Sequence, residues 1–134
     1  QQDKLMPVST LKSKVIQVKH LQPGETVGYN RMGKINKPTT VAAIPIGYAD
    51  GLNRKLGNGI GKMMINGVLV PTIGNISMDT CTLDATGVDV KVGDDVVIFG
   101  SNPTIMEVSQ ALNTIPYEVL TSVSQRVKRI YFQE

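Results

Sequence analysis

Apolar positions along this chain fall in short runs separated by turn residues, and the runs suit strands better than long helices. Residues 11–21 (LKSKVIQVKHL) carry strand-forming side chains, but the alternation breaks at Val15-Ile16. Such a break predicts a bulge, or burial on both faces. Gln22-Pro23-Gly24-Glu25 reads as a turn. Residues 41–46 (VAAIPI) form a continuous apolar run, as a buried strand would. Across residues 62–71, Asn66-Gly67 sits between two apolar runs, which predicts a hairpin because a type I′ turn needs two residues that tolerate positive φ. Residues 73–83 mix apolar and hydroxyl side chains and predict another strand. Val92-Gly93-Asp94-Asp95 reads as a turn into a strand over 96–99. One helix stands out after that. Thr104 and Glu107 are spaced as a capping box, and Ile105, Val108 and Leu112 then share a helical face. A second short helical stretch is expected from Pro116, and a closing strand over 126–132. The expected fold is mainly β: a small β-barrel-like domain, or a sandwich, with one or two short helices near its C-terminal end.

Composition narrows the function classes. A length of 134 residues suits one domain with a core of its own. No apolar run reaches the roughly 20 residues of a membrane helix, so no membrane contact by this domain is expected. The net charge of +3 is too small to indicate nucleic acid, and the scarcity of aromatic residues leaves no stacking platform for bases. The one basic cluster, Arg126, Lys128 and Arg129, reads as a solvated strand face. The single cysteine, Cys81, cannot form an intramolecular disulfide and suggests a reducing, cytoplasmic setting; its thiol reads as buried and inert. The single histidine, His20, rules out a His-based metal cluster. This inventory does not look like that of a complete enzyme. Residues 1–9 read as a linker that runs into the first strand and is cut from something longer, with the β-domain spanning 10–134.

The most informative segment is Ile44-Pro45-Ile46-Gly47-Tyr48-Ala49-Asp50-Gly51, where an apolar strand runs into a glycine-flanked turn bearing a phenol and a carboxylate. Glycines there allow a sharp turn or close approach to another surface. Taken alone, Tyr48 reads as a packing or interface residue. The string IPIGYADG, however, resembles a signature of the alanine racemase family. Further segments match in the same order: LKSKV at 11–15, GETVGY at 24–29, and NG through MD at 66–79. The turn Val92-Gly93-Asp94, the helix start IPYEVL at 115–120 and the closing SQRVKRIY at 124–131 complete the series. Together they cover nearly the whole chain.

The resemblance implies the carboxy-terminal β-domain of a pyridoxal-phosphate-dependent isomerase that interconverts L- and D-alanine for bacterial peptidoglycan. It assigns Tyr48 as a catalytic acid–base group that reaches into the partner's site of a homodimer. It assigns the Met78 backbone N–H to the substrate carboxylate, and Tyr117 to the cofactor phosphate or the substrate access channel. Racemization needs one proton carrier on each face of the α-carbon, and a cofactor-bound lysine serves only one of them. A phenol is ordinarily a poor base at neutral pH, so positive charge is expected nearby. With only scattered Lys and Arg in this chain, that charge is expected from the partner. The lysine, and most contacts to pyridoxal phosphate, belong in the family to an N-terminal α/β barrel that this chain does not contain, so the chain alone is expected to be inactive. The family pattern GR-x-CMD departs here to Gly74-Asn75-Ile76-Ser77-Met78-Asp79, without the arginine or the cysteine, and Pro116 replaces an asparagine. Other readings are a serine or broad-specificity amino-acid racemase domain, or a non-catalytic β-barrel assembly module.

Overall fold

The computed structural model describes residues 10–27, 33–100, 102–116, 118–119 and 131–133. The chain enters as β1 (Thr10–Lys14) and continues, after a two-residue break, as β2 (Gln17–Leu21). The break is a change of sheet: the Val15 N–H donates to the Asp94 carbonyl and the next N–H, of Ile16, donates to Ala43. Val15 is buried while Ile16 is 48% exposed. The disrupted alternation of the sequence therefore marks the point where one segment leaves the first sheet and joins the second.

After a turn at Pro23-Gly24 come the short strands β3 (Thr26–Val27) and β4 (Gly33–Lys34), paired with each other. Strand β5 (Thr39–Ile44) follows, then β6 (Lys62–Ile65) and β7 (Val68–Pro71). These last two form the expected hairpin, with φ of 49° at Asn66 and 80° at Gly67. Strand β8 (Cys81–Asp84), strand β9 (Asp95–Phe99), helix α1 (Ile105–Ala111) and β10 (Tyr131–Gln133) complete the order. The Thr104–Glu107 capping box is formed, and Ile105 and Val108 are buried beneath α1. Residues 116, 118 and 119 are helical, as the Pro116 signal predicts. Residues 126–130 of the expected closing strand, and its basic cluster, lie outside the described residues.

Five strands form one sheet in the order β10-β1-β9-β6-β7, and three form a second in the order β2-β5-β8. Every pairing among the described residues is antiparallel. A single bridge, Thr72 to Leu83, ties the end of β7 to β8. With the β1–β2 switch, this wraps the two sheets around one core in a barrel-like manner. Leu11, Ile44, Met63, Leu83, Val96 and Phe99, from both sheets, are fully buried together in it. The mainly-β expectation holds.

Two expected strands are shorter in the structure. The run over 41–46 leaves the sheet after Ile44, although Ile46 stays buried. Most of 73–83 is an irregular loop, and only Cys81–Asp84 pairs as a strand. The physical reason is that the hydroxyls of Thr72, Ser77 and Thr82 bond to backbone groups of loops. Local bonds of this kind compete with a sheet ladder. These two departures create the site.

Candidate active site

Past Ile46 the chain turns through one turn of 3₁₀ helix, Tyr48–Asp50. The Asp50 carboxylate folds back to accept the Gly47 N–H at 3.0 Å, while the Asp50 N–H donates to the Gly47 carbonyl at 3.0 Å. Leu52, almost fully buried, anchors the far end. Tyr48 is thus half-buried on a turn closed at both ends.

The surface this turn approaches is another loop of the same chain. The Tyr48 N–H donates to the Ser77 carbonyl and the Ala49 N–H to the Met78 carbonyl, both at 3.0 Å. Gly47 makes the approach possible, because a Cβ there would overlap both of those carbonyl oxygens. Its φ is −140°, so space alone requires the glycine. The 77–80 loop is itself tightly tied. The Ser77 N–H donates to the Thr80 carbonyl, the Thr80 N–H donates to Ser77 Oγ, and the two hydroxyls lie 2.6 Å apart. Met78 and Asp79 are left exposed at the tip, Met78 at 52%. Met78 therefore lies on a turn and not, as its apolar neighbours would suggest, in the core of a strand. Its carbonyl is engaged, and no bond from its own N–H is found among the described residues.

A third loop stands over these two. The guanidinium carbon of Arg54 lies 5.1 Å from the centre of the Tyr48 ring, within cation–π range. Arg54, one of the scattered cations of the chain, thus packs on the face of the Tyr48 ring. Arg54 opens a second 3₁₀ turn, Arg54–Leu56, capped by the Asn53 side chain. Buried Thr72 pins that loop, donating to the Leu56 carbonyl at 2.6 Å and accepting the Gly59 N–H at 3.0 Å. Asn58 donates to the Asn75 side chain at 2.6 Å, so the residue in place of the family's arginine takes part in an amide pair. Sequence reading missed Arg54 and Thr72. Thr72 had no signal beyond a lone hydroxyl among apolar residues, and Arg54 only its closeness to Tyr48.

Of the three residues singled out from sequence, Tyr48 and Met78 are brought together and Tyr117 lies outside the described residues. Its neighbours Glu118 and Val119, among the described residues, line a cavity of about 370 Å³ together with Gly51, Leu52 and Asn53. Glu118 and Val119 therefore share a cavity with the end of the Tyr48 turn. Cys81 is buried, and desolvation pushes its thiol up to about 12, which makes it unfit as a nucleophile at neutral pH.

Residues 8–131 match the family model described as alanine racemase, C-terminal domain. The chain belongs to that family. It is 48% identical over 132 residues to the alanine racemase of Desulfosudis oleivorans, covering 95% of this chain and 34% of that protein. It is 41% identical to the alanine racemase of Helicobacter acinonychis, covering 92% and 34%. Among solved structures it is similar to the alanine racemase of Bartonella henselae with covalently bound pyridoxal phosphate, at 42% identity and a TM-score of 0.82, covering 91% of this chain and 34% of the other. The chain thus spans about a third of the length of the alanine racemases it matches.

The family is one of pyridoxal-phosphate enzymes, and the described loops can be tested for fit to such a site. A phenol, a backbone N–H with no partner found among the described residues and a guanidinium, on three loops in contact, suit the amino-acid end of a cofactor–substrate pair. The fit is to one wall of the site.

Proposed function

We propose that this chain is the wall-forming C-terminal part of a pyridoxal-phosphate-dependent enzyme that interconverts L- and D-alanine for peptidoglycan synthesis in the cytoplasm. In this reading residues 1–9 lead from an N-terminal α/β barrel that holds most of the cofactor, and residues 10–134 form the β-domain. Two copies pair so that the 47–51 and 77–79 loops of one face the site of the other. The observation that carries the reading is the glycine-dependent contact that sets Tyr48 beside Met78. An assembly module has no chemical use for a phenol locked next to an open N–H.

Pyridoxal phosphate, when bound, spreads the negative charge left on the α-carbon when its proton departs. The rest falls to side chains and backbone. The Met78 N–H donates to the substrate carboxylate and fixes which groups face the α-carbon. Tyr48 carries the proton on one face of that carbon, opposite the barrel's lysine, and Tyr117 bounds the cofactor phosphate. The packing of Arg54 on the Tyr48 ring favours a second role for Tyr48, as a fixed wall of the pocket. In that case Tyr29, the phenol of the Gly24–Tyr29 motif, is the proton carrier.

The test uses the full-length enzyme with Tyr48→Phe and Tyr29→Phe, following exchange of the α-hydrogen of each enantiomer with deuterated solvent. Loss of exchange for one enantiomer and its retention for the other in Tyr48→Phe supports Tyr48 as the carrier. The same asymmetry in Tyr29→Phe, with Tyr48→Phe symmetric, moves the role to Tyr29 and leaves Tyr48 as wall. Absence of alanine racemization in the unaltered full-length protein, with serine as the substrate turned over, refutes the alanine assignment. Mixing a subunit defective in the carrier with one lacking the lysine restores part of the activity if the site is shared between copies. Mixed dimers that stay inactive exclude that sharing.

A further inference from the structure

The Ser77–Thr80 tie is more elaborate than a turn requires. Four contacts join the two residues: backbone Ser77 N–H to the Thr80 carbonyl, Thr80 N–H to Ser77 Oγ, Ser77 Oγ to the Thr80 carbonyl at 3.1 Å, and the hydroxyl pair at 2.6 Å. Between them stand only Met78 and Asp79. On its outer side the Ser77 carbonyl takes the Tyr48 N–H. One residue thus touches both the tip that carries the Met78 N–H and the turn that carries Tyr48. The family pattern to which this stretch is similar has a cysteine at position 77. A thiol is a weak donor and a weak acceptor, whereas a hydroxyl pair at this distance is a full O–H···O hydrogen bond.

We propose that the Ser77–Thr80 hydroxyl clasp is a positioning device for the reaction, holding the Met78 N–H at a fixed distance from the Tyr48 turn so that it meets the carboxylate of the amino-acid substrate. This rests on the reading that the Met78 N–H contacts that carboxylate. Ser77 and Thr80 touch no reacting atom and act through the tip they close. Loosening the clasp weakens carboxylate binding more than it slows the chemical step. A simple carboxylate such as propionate, which competes for the same N–H, loses affinity in parallel.

The experiment uses the full-length enzyme with Ser77→Ala, Thr80→Val and Thr80→Ser, together with replacement of the Met78 amide by an ester, which deletes only the N–H. The expected result is a rise of about tenfold in KM for alanine and in the propionate inhibition constant for Ser77→Ala and Thr80→Val. Their kcat stays within about threefold, and Thr80→Ser, which keeps the hydroxyl, remains near the unaltered enzyme. Ser77→Ala and Thr80→Val open the clasp from opposite sides, so failure of one to fold still leaves the other to decide. Unchanged KM and propionate inhibition in a folded clasp variant overturn the clasp proposal, and the carboxylate reading survives if the Met78 ester raises both. An ester without effect on either overturns both.

Discussion

Replacing Gly47 by alanine tests the contact on which the site depends. The new Cβ would overlap the carbonyl oxygens of Ser77 and Met78 and the Met78 carbonyl carbon, all backbone atoms that cannot swing aside as a side chain can. The loops must part by about an ångström, which stretches or breaks Tyr48 N–H to Ser77 and Ala49 N–H to Met78. Each such bond contributes about 1 kcal/mol net, so losing both costs about 2 kcal/mol. For the 134-residue chain this appears as a fall of roughly 1 M in the urea unfolding midpoint, read by far-UV circular dichroism. In the full-length enzyme the same displacement of Tyr48 against Met78 should lower kcat/KM by about a hundredfold. Gly67→Ala is the control. It sits at φ 80° with nothing within 4 Å of its Cβ, so it incurs about 1 kcal/mol of left-handed strain without touching the loops, and turnover should be unaffected. If Gly47→Ala unfolds within about 0.5 kcal/mol of the unaltered chain and keeps full activity, the contact does not organise the site.

Thr72→Val removes the buried hydroxyl that donates to the Leu56 carbonyl and accepts the Gly59 N–H; the carbonyl keeps the Gly61 N–H and Gly59 is exposed, so the loss in urea unfolding should be about 1 kcal/mol, and an unchanged midpoint would show that the hydroxyl does not pin the loop. Cys81, with its thiol pushed up to about 12, should resist iodoacetamide at pH 8 in the folded chain and react at once in urea; rapid native labelling would contradict its burial. Asp94 accepts from the Asn66 side chain and the Lys91 N–H, which hold its carboxyl below the ordinary range. The sign follows: its contribution to stability is complete above about pH 4, the unfolded value, and disappears as pH falls through the lower folded value. Asp94→Asn should therefore destabilise the chain at pH 6 and make little difference once the carboxylate of the unaltered chain is protonated; equal effects at both pH values would remove Asp94 from this role.

The periodicity of the chain was a good guide wherever one face of a strand meets the core. The Asn66-Gly67 hairpin, the Val15-Ile16 break and the Thr104–Glu107 cap could be read because each depends on residues adjacent in sequence. The loop over 73–80 was misread as strand because the Ser77 hydroxyl closes a local turn on the Thr80 backbone, while Thr72 just before it is held by Leu56 and Gly59, which sequence places far away. Tyr48 and Met78 were legible as motif residues, but their adjacency was not. It depends on the missing side chain of Gly47, and a glycine in a sequence does not say which backbone will come close to it. Arg54 was invisible for a similar reason, since a cation over a ring requires two loops to be placed in three dimensions.

The pairing of β1 with β10 and β9 has a kinetic consequence. Thr10 faces Gln133 and Leu11 faces Phe99, so the first strand completes its sheet only with partners separated from it by most of the sequence. Such distant pairings carry the loop-closure entropy of the intervening chain and slow the search for the native topology. During synthesis β1 leaves the ribosome long before β9 and β10 exist. In that interval the N–H and C=O groups of β1 are an open edge able to pair with another nascent chain. Refolding yield should accordingly fall as protein concentration rises, and a short peptide with the sequence of β10, added during refolding, should recover part of it.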